Sequence, residues 1–118
     1  LIGVANSTSN NSANIIISNT YAAGLATGSH STLGGLIGLS RNSVSLSNSY
    51  WDAGTIPQSW PIGQPLGSEY LTMNNVKAIS GNGGNYPSAY QKSSYINFDF
   101  NNIWTIEEDV SRPTLRGF

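Results

Sequence analysis

Cysteine is absent from the 118 residues, which excludes disulfide staples and thiolate metal sites. Charge is nearly as scarce. Five Lys and Arg against six Asp and Glu give a net charge of −1, and the charged fraction is 9% where ordinary globular chains carry about 25%. The cations Arg41, Lys77, Lys92, Arg112 and Arg116 are scattered. Binding nucleic acid needs them gathered into a basic stripe, so no nucleic-acid partner is expected. Long apolar runs are missing too. The longest, Ile15-Ile16-Ile17, falls far short of the ~20 residues of a spanning helix, and no membrane insertion is expected. One histidine, His30, cannot make a histidine metal site alone, and neither metal nor cofactor is expected.

What is present points to order. Three Trp, six Tyr and three Phe at near-zero net charge are the opposite of a disordered composition. The length suits one domain with a modest core. Asn, Ser, Thr and Gly occupy the surface that Lys and Glu usually cover, a profile common in secreted β-structures and unusual in helical cytosolic proteins.

Two windows repeat. Ile17-Ser18-Asn19-Thr20-Tyr21 matches Leu46-Ser47-Asn48-Ser49-Tyr50, and each follows a shared upstream element, Leu1-Ile2-Gly3 and Leu36-Ile37-Gly38. A period of about 30 residues with a variable spacer is the mark of solenoids and arrays. Within the unit, Val44, Leu46 and the polar residues between them alternate with period two, which reads as short half-buried strands. Ser, Asn, Gly and Thr dominate residues 1–55 and disfavour helix.

Gly34-Gly35-Leu36-Ile37-Gly38 followed by Leu46-Ser47-Asn48-Ser49-Tyr50 resembles the GLUG motif repeat of bacterial surface proteins. The second half resembles the ending of such arrays: Ser49-Tyr50-Trp51-Asp52, then Phe98-Asp99-Phe100 with Trp104-Thr105-Ile106, and Arg112-Pro113-Thr114-Leu115. The likeness covers roughly residues 1–54 and 95–116. It implies large adhesins of the filamentous haemagglutinin and immunoglobulin A protease-associated kind, whose repeats accompany right-handed parallel β-helices, and with them an extracellular or bacterial cell-surface location. The expected fold is therefore all-β: end rungs of a parallel β-helix over residues 1–54, as two repeats, and an irregular aromatic cap over 55–118. Leu36, Gly38, Ser18, Asn19, Tyr21, Ser47, Asn48 and Tyr50 are the repeat positions, and Trp51, Phe98, Phe100 and Trp104 the expected cap core.

Pro57, Pro61, Pro65 and Pro87 forbid a long helix or a central strand in the middle of the chain. Residues 68–79 admit one short helix, with Ser68 as N-cap and Leu71, Val76 and Ile79 facing inward. Tyr95-Ile96-Asn97-Phe98-Asp99-Phe100 alternates and predicts a strand.

Chemical motifs are few. The Gly-rich places at 24–28, 34–38 and 81–84 lack the Lys-Ser/Thr and the helix that a phosphate loop needs, and read as turns. No nucleophile-elbow sequence accompanies His30, which is expected in an exposed turn. Asp52 and Asp99 are the acids a polysaccharide-cleaving site would use. The competing reading closes a turn with Asp52 and points Asp99 outward. Glu107-Glu108-Asp109 is a solvated turn before Pro113, with too few fixed oxygens for calcium. Asn6-Ser7-Thr8 and Asn10-Asn11-Ser12 match glycosylation acceptors that a bacterial protein would leave idle.

Trp60, Tyr86, Tyr90 and Tyr95, amid Asn and Gln, form the expected recognition surface, since aromatic faces and amides suit a glycan or a flat protein epitope. The expected function is a non-catalytic piece of a surface-displayed adhesin, serving as stalk or cap and presenting a surface to a host glycan or surface protein. Two rivals stand beside it: a fragment of a polysaccharide-processing β-helix enzyme, and a fibre subunit whose first rung at Leu1 stacks on a neighbour. In the adhesin reading that rung meets the rest of a larger polypeptide.

Overall fold

The computed structural model describes residues 1–6, 14–28, 32–41, 43–56, 58–66 and 71–117. His30, Ser68 and the acceptor sites at Asn6-Ser7-Thr8 and Asn10-Asn11-Ser12 fall wholly or partly outside them. Nine strands occur among the described residues: β1 (Ile2–Asn6), β2 (Ile15–Ser18), β3 (Tyr21–Ala22), β4 (Ile37–Arg41), β5 (Val44–Asp52), β6 (Ile62–Leu66), β7 (Leu71–Ile79), β8 (Trp104–Thr105) and β9 (Thr114–Leu115). The fold is all-β, with a 3-10 turn at Lys92–Ser94.

The first seven strands form two parallel sheets. One has the order β1-β4-β6; in the other, β2 and β3 lie on one side of β5 and β7 on the other. Each pass of the chain adds a strand to the first sheet and then to the second. The matching sequence windows are register partners: Ile17 pairs with Leu46 and Tyr21 with Tyr50. Upstream, Ile2 pairs with Ile37, and Ile37 with Ile62.

Side-chain alternation along β5 explains the motif. Val44 and Leu46 face a core shared by both sheets, built with Ala5, Ile17, Leu36, Ile37, Trp51, Ile56 and Ile62. Asn48 then takes a left-handed conformation (φ 45°), and the alternation shifts phase there. Beyond it Trp51 faces the shared core, whereas Tyr50 turns to a second cluster. Asn19 (φ 53°) and Asn75 (φ 56°) bend the neighbouring strands at the matching place. Asn tolerates this region better than most side chains, which accounts for Ser-Asn-Ser/Thr-Tyr recurring.

Glycine allows the close approach upstream. A Cβ on Gly38 would sit 2.8 Å from the Gly3 carbonyl oxygen, and one on Gly63 2.7 Å from that of Gly38. Both distances are too short for a carbon, so the Ile-Gly element must keep its glycine wherever strands stack this way. Pro65 lies in β6, an edge strand of its sheet, where proline is tolerated.

Two expectations are corrected. Residues 71–79 form strand β7, not a helix: Leu71 and Met73 lie beside Val44 and Leu46, and Asn75 in left-handed geometry would end any helix. Pairing along the whole of β5 outweighs the weak helical spacing of Leu71, Val76 and Ile79. Residues 95–100 are turns, not a strand. Asn97 (φ 69°) breaks the extended backbone, and Tyr95, Phe98 and Phe100 all enter one cluster instead of alternating sides.

That cluster attaches the C-terminal segment to the sheets. Tyr95 meets both Tyr21 and Tyr50 edge-on, each with ring centroids 5.5 Å apart, and Phe98 stacks on Trp104 at 4.6 Å. The Tyr50 hydroxyl donates to the Ile96 carbonyl. β8 and β9 close the segment as an antiparallel pair. Strands β6 and β7 lie within residues 55–118 and extend the same two sheets.

Candidate recognition groove

The Trp60 backbone is held while its ring is free. Its carbonyl accepts the Gly35 N–H at 2.8 Å, and the neighbouring Pro61 carbonyl accepts the Leu36 and Ile37 N–H groups. The buried Trp51 indole N–H donates to the Gln58 carbonyl at 3.0 Å, fixing the approach to this segment. The Trp60 side chain is left 72% exposed. Tyr86, 50% exposed, belongs to a turn that contains Gly83 and Gly84 at positive φ and is tied back where Pro87 accepts the Ser80 N–H.

Trp60 and Tyr86 line one groove of about 530 Å³, with Met73, Val76 and Ala78 as apolar lining and Ser59, Asn75 and Lys77 as polar lining. A hollow of about 340 Å³ adjoins it over Ile62, Pro65 and Leu71. Both volumes fall in the range of small-ligand sites.

The other two aromatic candidates lie elsewhere. Tyr90 is half-buried beneath the Arg112 guanidinium, 5.3 Å from its ring centroid. Tyr95 is buried, and its hydroxyl donates to the Ala89 carbonyl at 2.6 Å. Burial pushes that hydroxyl far above the ordinary tyrosine range. Tyr21 is pushed up to about 12, first by burial and then by the Asp52 charge. Trp51, grouped in sequence with Phe98, Phe100 and Trp104, lies instead in the core between the sheets.

The acids have structural partners. Asp52 is fully buried. One of its oxygens accepts the Gly54 N–H at 2.8 Å, and the other accepts Arg112 Nε at 2.6 Å. Burial works against the Arg112 charge, but the hydrogen bond and charge of Asp52 prevail and raise its pKa. Asp99 accepts the Asn102 side-chain amide and the backbone N–H groups of Asn101 and Asn102, and these bonds, led by the Asn102 side chain, lower its pKa. Glu108 accepts the Lys92 N–H, and Asp109 accepts from the Gln91 amide. Among the described residues no group of three or more His, Cys, Asp or Glu could hold a metal.

Sequence reasoning found Trp60 and Tyr86 but missed Lys77, Met73 and Asn75, which lie on a strand it read as helix. The signal available was Asn75, which occupies the same place in its strand as Asn19 and Asn48. No family model, curated protein or solved structure matches this chain.

Proposed function

We propose that the chain is a non-catalytic segment of a secreted or surface-displayed bacterial adhesin, coiled as the end of a parallel β-helix. In this reading it presents the Trp60–Tyr86 groove to a host glycan or surface protein. The supporting observation is the pairing of Tyr21 with Tyr50 and of Ile2 with Ile37 and Ile62, since stacking of repeats is what gives a stalk its stiffness. Asp52, one of the two acids a polysaccharide-cleaving reading needs, is sealed by Arg112. Duplicating residues 34–60 in tandem tests the coil: a longer, equally cooperative protein is expected, and an unfolded product overturns it. Binding of the isolated chain to a glycan array and to host cells tests the groove. Retention that Trp60→Ala abolishes supports it, and retention that ignores Trp60→Ala overturns it.

A second reading, assembly into a fibre, is favoured by one observation. Among the described residues, no strand pairs with the far edges of β1 and β2 or of β6 and β7. Unpaired edges of this kind invite further strands. Concentration-dependent growth in sedimentation velocity supports that reading, and a monomer at all concentrations overturns it.

A further inference from the structure

Among the described residues, Lys77 is the only charged one lining the groove that holds Trp60 and Tyr86. It is exposed, and the only ion pair among the described residues is Asp52–Arg112, so no described carboxylate neutralises it. The rest of the described lining includes exposed apolar surface on Trp60, Tyr86 and Met73 and the short polar Ser59, while the Asn75 amide is held by Asn48 Oδ1 and the Tyr50 hydroxyl.

We infer that this groove binds an acidic saccharide, one whose carboxylate or sulfate is met by Lys77 while a sugar ring lies against Trp60. The inference rests on the proposed role of the groove in recognition and names the ligand class. A pyranose ring offers apolar C–H faces and a rim of hydroxyls. Aromatic faces take the first, and the short polar Ser59 can take part of the second. The ammonium of Lys77 selects for a negative substituent without demanding the bidentate geometry that a guanidinium would impose. Among the described residues no acid lines the groove, and the field of Lys77 favours such a ligand over a neutral analogue.

Titration of the 118-residue protein, followed by tryptophan fluorescence, tests this with three tetrasaccharides: an oligogalacturonate, a sulfated heparin-type fragment and neutral cellotetraose. At low salt at least one acidic ligand is expected to bind about fivefold more tightly than the neutral one, the scale of a single exposed ion pair, and the preference is expected to shrink at high salt. Which acidic arm binds distinguishes carboxylate from sulfate as the source. Lys77→Gln is expected to remove the preference and keep the residual neutral affinity, Trp60→Ala to abolish binding, and Lys92→Gln, whose ammonium lies over the Phe100 ring and outside the groove lining, to change nothing. Equal binding of neutral and acidic sugars, or a preference that survives Lys77→Gln, overturns the inference but leaves the groove as a recognition surface. If no saccharide binds while an extended apolar peptide does, the inference is overturned in favour of a protein ligand. If neither binds, the inference falls together with the groove.

Discussion

Arg112 Nε meets Asp52 Oδ2 at 2.6 Å across 60 positions of sequence, and this contact fastens the C-terminal segment to the end of β5. The carboxylate is fully buried while the Arg112 side chain keeps 31% of its exposure, so the two partners are unequal. Removing the arginine strands a desolvated charge; removing both partners does not. Arg112→Ala is therefore expected to cost about 2–4 kcal/mol, below the full cost of breaking a wholly buried pair because water already screens Arg112. Urea denaturation measures this, and Asp52→Asn combined with Arg112→Ala should recover part of the loss. A cost under about 0.5 kcal/mol would show that the contact does not hold the segment.

The bends at Asn19, Asn48 and Asn75 make a second expectation. The Asn75 amide donates to Asn48 Oδ1 at 2.9 Å, so the central asparagine supplies both a conformation and an acceptor. Asn48→Ala loses both and should cost about 2 kcal/mol, combining left-handed strain with a lost hydrogen bond. Asn48→Gly restores the conformational freedom and should cost less. Equal destabilisation by the two variants in urea denaturation would remove backbone conformation as the reason for the motif.

The same positions show how far the sequence could be read. Tyr21 and Tyr50 were legible as partners because the repeat kept Ser, Asn and Tyr together. The third pass was not. There Pro61-Ile62-Gly63 keeps only Ile-Gly, and Met73-Asn74-Asn75-Val76-Lys77 keeps only the bend asparagine. What survives is what stacking cannot relinquish: a glycine where backbones touch and an asparagine where φ is positive. At an edge strand, Lys77 can stand beside Tyr50 and Thr72 beside Ser45, and the pattern fades. The turn at 95–100 misled for the opposite reason, since its aromatic alternation was real but Asn97 folded it onto one side. Lys77 escaped notice as a groove residue because a single lysine carries no pattern.

Glycine at 38 gives a controlled comparison. A Cβ there would lie 2.6 Å from the Thr32 carbonyl oxygen and 2.8 Å from that of Gly3, and both are backbone atoms that cannot rotate away. Gly38→Ala is expected to destabilise by about 2–3 kcal/mol, at the upper end for overpacking. Gly24 has nothing within 4 Å of its virtual Cβ, so Gly24→Ala should be neutral or slightly stabilising. Thermal melts of both variants check the pair, and similar melting temperatures would contradict the close stacking of β1 on β4.

Alkaline pH should loosen the C-terminal segment through its tyrosines. Burial raises the pKa of Tyr21, Tyr50 and Tyr95, and that of Tyr21 reaches about 12. In the unfolded chain a tyrosine titrates near its ordinary value of 10. Below pH 10 both states are protonated and the full stability is present. Above it the unfolded chain loses protons that the folded one still holds, so unfolding becomes progressively easier until the folded hydroxyls titrate as well. For Tyr21 that window runs from pH 10 to about 12, and its share of the loss is on the order of 2 kcal/mol after discounting for partial exposure. Tyr21→Phe removes the titrating group, so its stability should fall less over this window than that of the unaltered protein. Urea denaturation at pH 9, 10.5 and 12 reads the difference directly. Parallel curves for the two proteins would mean that the Tyr21 hydroxyl is not buried against Tyr95.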